Sequence, residues 1–314
     1  MSPVILLGTS GFSFPDWVGT YYPAGIDSRD MLPFYAREFS TVEVNSTYYR
    51  IPPASTLRGM ERKTPPHFEF VVKTHHDMTH DQSRDPELYR SFANAVHPLQ
   101  AAGKLSGLLA QFPQAFHRTP SNERFLVELK ERLPEVPLFV EFRHDSWTRN
   151  GVFPLLEDFG LRYVSVDEPD LPGLLPPIAR ATGEIGYVRF HGRNKRNWWK
   201  RDGDSISKEP PVPLQAEPNG PPQRTGDALL GPLFAGDLDA APPLPSAPAR
   251  RKGRVLLRYD YLYSEQELKE WVGKIRELAA QTKKTFIFFN NCHAGQAATG
   301  AKLMRKLLEG EGLL

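Results

Sequence analysis

Short apolar runs alternate with amphipathic stretches along nearly the whole chain. The apolar runs are VILLG (4–8), TVEVN (41–45), FEFVVKT (68–74), LSGLLAQF (105–112), LFVEFR (138–143), RYVSVD (162–167), IGYVRFH (185–191) and TFIFFNN (285–291). Each is short and rich in β-branched or aromatic residues, which reads as a strand. Between most of them the apolar positions recur at helical spacing. SRDMLPFYAREF follows the first run, DPELYRSFANAVHPL the third, SNERFLVELKERL the fourth, SEQELKEWVGKIRELAAQ precedes the last, and a final helix follows it. Strands alternating with helices imply crossover connections and parallel pairing. Eight such units predict an α/β fold of the TIM type, a closed (β/α)8 barrel forming one domain over residues 1–314. The link after the sixth strand, DLPGLLPPIARATG, is Pro-rich and the weakest match to a crossover helix.

One segment breaks the rhythm. Residues 202–253 carry eleven prolines and no sustained periodicity, and the cluster RRKGR ends at Arg254. Such a composition does not repay the entropy of ordering. It predicts a flexible Pro-rich insertion after strand seven.

The polar positions inside the strands carry the functional signal. Side chains alternate across a strand, so Val140 and Phe142 share one face and Glu141 and Arg143 the other. The same alternation sets Glu43 and Asn45 against Val42 and Val44, Lys73 against Phe70 and Val72, and Gln111 against Ala110 and Phe112. It also sets Asp167 against Val164 and Val166, and Arg189 and His191 against Val188 and Phe190. In a barrel the apolar parity meets the helices and the polar parity looks inward. These residues fall toward the carboxyl ends of their strands, where barrel active sites are built. The competing reading is a network of carboxylates and cations that only neutralises itself, although buried ion pairs seldom stabilise more than an apolar core of equal volume.

Composition narrows the classes. The formal net charge of +2 gives no global field for nucleic acid or a membrane surface. A single cysteine, Cys292, excludes an intrachain disulfide and fits a reducing compartment. No apolar run approaches the roughly 20 residues of a membrane-spanning helix, and Val4–Leu7 is too short for a signal-peptide core. A cytoplasmic protein with no membrane association is therefore expected.

For acid–base work the candidates are Glu141, Glu43, Lys73, Asp167 and His191. Glu141 beside Arg143 is expected to stay ionised, a more buried Glu43 to hold a proton, Lys73 among cations to lose some charge, and His191 to carry protons near neutrality. For substrate or anion binding they are Asn45, Gln111, Arg143, His144, Arg189, Arg193, Asn291, His293 and Gly295. The last three open NNCHAGQAATGAKLM, where small residues at a helix N-terminus would let backbone N–H groups approach an anion. The stretch HGRNKRNWWKR (191–201) interleaves bases with tryptophans, a pattern suited to stacked nucleic-acid bases and equally to a solvated covering loop. Cations sharing the strands with the carboxylates disfavour a multi-metal centre, so no cofactor and no metal ligand is predicted. The histidines of THHDMTHD (74–81) read as solvated or packed.

Taken together, GTSGF (8–12), VEVNSTYYRIP (42–52), FEFVVKTHHDMTH (68–80), LLAQFP (108–113), VEFRHDSW (140–147), YVRFHGR (187–193), YDYLYS (259–264) and NNCHAG (290–295) resemble the YecE-like family, domain of unknown function 72. The resemblance covers the chain outside the Pro-rich segment and implies a TIM-type barrel. It places Glu43, Asn45, Lys73, Gln111, Glu141, Arg143, His144, Asp167, Arg189, His191, Asp260, Asn291 and His293 on family motif positions. It does not supply a reaction. A likeness of this family to endonuclease IV-like barrels makes nucleic acid a conceivable ligand, but the ligands here are too few for that enzyme's metal-rich site. The expected function is an enzyme acting on a phosphorylated or otherwise anionic substrate, with a nucleotide or nucleic acid among the candidates. The alternatives are a non-catalytic nucleic-acid-binding protein and a metal-dependent hydrolase. Protein partners are not readable from the sequence.

Overall fold

The computed structural model describes residues 3–199 and 257–314. The predicted insertion at 202–253, the RRKGR cluster, Lys200 and Arg201 lie outside the described residues.

Strands and helices alternate. In chain order they are β1 (Val4–Thr9), α1 (Met31–Tyr35), β2 (Thr41–Val44), α2 (Ser46–Tyr49), α3 (Ala54–Arg62), β3 (Glu69–Lys73), α4 (His76–Thr79) and α5 (Pro86–Ala101). Then come β4 (Leu105–Gln111), α6 (Pro120–Arg132), β5 (Leu138–Glu141), α7 (Val152–Asp158), β6 (Arg162–Tyr163), β7 (Ser165–Asp167), β8 (Ile185–Phe190), α8 (Glu265–Ala280), β9 (Lys284–Phe289) and α9 (Gln296–Gly310). All pairings are parallel, in two sheets of order β1-β9-β8-β7 and β2-β3-β4-β5-β6.

The two sheets meet at both edges. On one side Ser10 and Glu43 form a parallel bridge, and the Gly11 N–H donates to the Glu43 carbonyl at 2.8 Å. Gly8 is required there, because a Cβ would lie 2.4 Å from the Thr41 carbonyl. On the other side β6 and β7 are one extended run interrupted at Val164, whose N–H donates to the Val140 carbonyl at 3.0 Å.

Local sequence explains the crossover helices. Asp85 caps α5 and Thr119 caps α6, each followed by a proline at the first helical position, where its missing N–H costs nothing. Ser264 and Glu267 form a reciprocal capping box on α8. After the sixth strand, residues 168–184 contain no helix, as their proline content implies. SRDMLPFYAREF yields only the five-residue α1 behind a 3-10 turn at Ser28–Asp30, because Pro33 and the early end at Tyr35 leave little room. No helix among the described residues is long and apolar enough to cross a membrane.

The inner aromatic residues Phe139, Tyr187, Phe286 and Phe288 are fully buried and pack on one another, Phe139 on Tyr187 at 4.6 Å and Tyr187 on Phe288 at 5.3 Å between ring centres. They form an apolar floor beneath the charged residues at the carboxyl ends of the strands. At the opposite ends Lys284 closes on Glu69 at 2.6 Å.

Candidate functional site

Above that floor runs an alternating chain of charges. Tyr187 donates to Glu43 Oε2 at 2.6 Å. Arg189 donates from Nη2 to Glu43 Oε1 at 2.6 Å and from Nη1 to Glu141 Oε2 at 2.5 Å. Glu141 Oε1 faces Arg143 Nη2 at 2.8 Å, and Arg143 Nη1 donates to Glu168 Oε2 at 2.8 Å. Glu168 Oε1 accepts the Leu175 N–H at 3.0 Å. Three carboxylates thus alternate with two guanidiniums, joining β2, β8, β5 and the residue after β7.

Burial tunes the members differently. Glu43, Glu141, Arg189, His191 and the side chain of Glu168 have no solvent exposure, whereas Lys73 (8%) and Arg143 (7%) reach the surface marginally. Burial works against the charge of Glu141, but Arg189 and Arg143 outweigh it and hold the carboxyl well below its ordinary range. Glu168 shares Arg143 with Glu141, so burial wins and lifts it to about 7. Lys73 donates to Gln111 Oε1 at 2.6 Å and lies 4.2 Å above the Tyr48 ring. Among the described residues no carboxylate is within ion-pair reach of it. Desolvation, with Arg189 adding repulsion, lowers Lys73 to about 7.

His191 Nε2 lies 3.2 Å from Glu141 Oε1, and Asn290 meets its Nδ1 at 3.0 Å. Burial and then Arg143 lower it to about 3. Burial thus favours the neutral imidazole of His191 near neutrality, against the expectation of a proton carrier there. Asn45 and Asn291 complete the surroundings, each with a buried side-chain oxygen that has no hydrogen-bond partner, and Asn291 donates to the Tyr261 carbonyl at 2.7 Å. Trp198 is buried over Arg143, at 5.8 Å from Cζ to the ring centre, with Tyr259 edge-on beside it.

Several expected members stand elsewhere. Asp167 has the parity of Tyr163 and points to the helix side, where Trp271 Nε1 (2.6 Å), Tyr263 Oη (2.6 Å) and Arg193 (2.7 Å) all donate to it. Its neighbour Glu168 takes the inner position. Arg193 pairs with Asp167 and with Glu270 at 2.9 Å, and this local saturation speaks against its expected anion role and against the expected acid–base role of Asp167. His144 caps the 3-10 turn at Asp145–Thr148 and stacks on His117 at 3.8 Å, outside the charged chain.

The expected anion cradle at α9 is also engaged internally. The Ala294 N–H donates to Asp16 Oδ2 at 2.8 Å, and the His293 ring lies between Asp16 (3.8 Å) and Asp260 (4.0 Å). Gly295 is the left-handed cap of α9 (φ 80°) packed on Thr20, so its small size serves the turn. A carboxylate of the chain itself occupies the position predicted for an anion. Glu168 was not among the sequence candidates. Its signal was its place directly after the sixth strand, one residue beyond Asp167.

Outside the charged chain, His75 Nδ1, His76 Nδ1 and the Asp77 carboxylate converge within 4.8 Å of one another. Among the described residues this is the group able to hold a metal. A surface cleft of about 650 Å³, lined in part by Ile51, Pro53, Asp77, Asp85 and Asn94, adjoins it rather than the charged chain.

Parallel sheets under crossover helices, with buried charges gathered at the strands' carboxyl ends, define an α/β protein of the kind that builds sites on a rigid sheet. The chain belongs to the family described as Protein of unknown function DUF72, whose profile matches residues 6–210 and 240–313. It is 29% identical to the UPF0759 protein YunF of Bacillus subtilis (strain 168) over 98% of this chain and 95% of that protein. A crystal structure of a DUF72 family protein from Thermotoga maritima MSB8 is similar with a TM-score of 0.75 and 36% identity, covering 98% of this chain and 99% of that one. One from Enterococcus faecalis V583 has a TM-score of 0.72 at 23% identity, covering 98% and 96%, and shows a shared fold.

Proposed function

We propose that this protein is an enzyme that performs an acid–base step, such as hydrolysis or proton abstraction, on a small phosphorylated or otherwise anionic substrate at the Lys73–Arg143–Glu168 rim. The observation that carries this is that Arg143 and Lys73, a lysine with no carboxylate in ion-pair reach among the described residues, border solvent beside a buried chain of three carboxylates and two guanidiniums. Lys73 and Glu168 are each at about 7, for opposite starting points and one cause, burial. Three carboxylates face two guanidiniums and one lysine, so the cluster is neutral either with ionic Lys73 and Glu168 or with the proton moved between them. Two groups matched this way to the working pH suit general base and general acid roles. Arg143 and Lys73 also border solvent, where an anion would meet them. Glu43, Glu141 and Arg189 are the fixed electrostatic frame.

The edge-to-edge contacts of the two sheets support reading them as one closed (β/α)8 barrel, with this rim at its carboxyl-terminal mouth. The eight sequence motifs support the narrower YecE-like label.

The test is a titration of the full chain with inorganic phosphate and nucleoside monophosphates followed by NMR, together with pH–rate profiles for any turned-over phosphoester. Binding that weakens on Lys73→Met and Arg143→Ala, with a rate profile limited near pH 7 on both sides, is expected. Phosphate binding untouched by both variants overturns the reading. A second reading, nucleic-acid binding, is favoured by Trp199, 46% exposed beside the exposed Lys195 and Arg196. It predicts oligonucleotide affinity that falls steeply with salt and is lost in Trp199→Ala.

A further inference from the structure

We propose that His75, His76 and Asp77 form a three-residue binding site for a borderline divalent ion of the Zn²⁺ class, with water completing its coordination. The site lies where β3 ends, two residues past Lys73. His75 Nδ1 is 3.5 Å from Asp77 Oδ2, His76 Nδ1 is 2.7 Å from Asp77 Oδ1, and Asp81 Oδ2 is 3.9 Å from His76 Nδ1. Metal–ligand bonds of about 2.0–2.2 Å in a tetrahedron set ligand atoms about 3.4 Å apart. The ligand atoms of His75, His76 and Asp77 lie within 4.8 Å of one another, so side-chain rotation can bring them onto one ion. Two imidazoles with carboxylate oxygens suit Zn²⁺, Co²⁺ or Mn²⁺ and are too nitrogen-rich for Ca²⁺ or Mg²⁺.

The rings are held by neighbours of the kind that orient metal ligands. The His75 and His76 rings pack at 4.4 Å, and Tyr48 packs edge-on against His76 at 5.8 Å. The weak bond from the Asp77 N–H to His75 Nδ1, at 3.4 Å, is exchanged for the ion. The side chains of His76 and Asp77 are 41% and 36% exposed, and Asp77 lines the 650 Å³ cleft, which supplies an entry path. By contrast, Asp16 and Asp260 approach opposite nitrogens of His293, so that trio cannot share one ion. The Tyr48 ring touches both His76 and Lys73, placing the ion beside the charged rim without making it a member.

The test uses the untagged full chain, stripped with a chelator and titrated with Zn²⁺ by calorimetry and with Co²⁺ by visible absorption. One ion per chain is expected, with d–d bands on Co²⁺. His76→Ala and Asp77→Asn should each weaken binding by at least about tenfold, while His293→Ala leaves it unchanged. Both altered side chains are partly exposed, and either variant alone gives the reading if the other misfolds. The absence of stoichiometric binding, or binding unaffected by both variants, overturns the site. The readout needs no substrate, so its failure is separate from any failure of the proposed acid–base chemistry.

Discussion

Asp167 and Glu168 are consecutive acids at the end of one strand, and they live in different chemical worlds. Asp167 turns to the helices and receives Trp271, Tyr263 and Arg193. Glu168 turns inward, shares one guanidinium with Glu141, and is lifted to about 7. A fully donated-to carboxylate is a structural tie, and a carboxylate left short of positive charge is chemically adjustable. One residue of strand parity separates the two outcomes.

Removing the frame should show the largest effect. Arg189→Leu leaves the buried Glu43 without its guanidinium and Glu141 with Arg143 alone, and a loss of about 3–5 kcal/mol in denaturant unfolding is expected. Next comes the tie. Asp167→Ala orphans the buried donors of Trp271 and Tyr263 and should cost about 3 kcal/mol, with ligand binding at the rim retained in the folded fraction. Equal losses for Asp167→Ala and Glu168→Gln would erase the contrast drawn here.

Glu168→Gln should change stability by only about 1 kcal/mol, because it also relieves the burial of a charge. Its sign with pH is specific. The folded Glu168 value lies above the unfolded one, so this group stabilises at low pH and the contribution is lost as pH rises to about 7. The glutamine variant should lack that decline, and the alkaline limb of any activity profile should move away from 7. Lys73 runs the other way. Its folded value is about 7 against 10.5 in the unfolded chain, so the unfolded state holds the extra proton between them and stability rises with pH across that window. Unfolding measured near both ends of the window should show a smaller rise in Lys73→Met. The smallest effect is expected at Trp199→Ala, within about 0.5 kcal/mol for an exposed side chain.

The strands were legible because each is a short apolar run with polar punctuation, and every expected run contains a strand. The residues of the charged chain were legible on β2, β5 and β8, where a polar side chain sits between two apolar ones. Parity failed at the sixth strand because both of its faces are buried, so Val164 and Val166 gave no sign of which face met the helices. The short α3 was missed, since Ala54–Arg62 is flanked by prolines and carries few apolar positions. The filled cradle at α9 was invisible for a different reason. Asp16 reaches Ala294 across 278 residues, and no local pattern announces such a contact.

Arg189 ties β8 to a glutamate 146 residues earlier on β2 and to another 48 residues earlier on β5. At such long sequence separations, distant loops must close before this bracing gains anything. Any chain that carries the completed bracing has therefore already paired its strands, and the rim appears only on molecules that have finished folding.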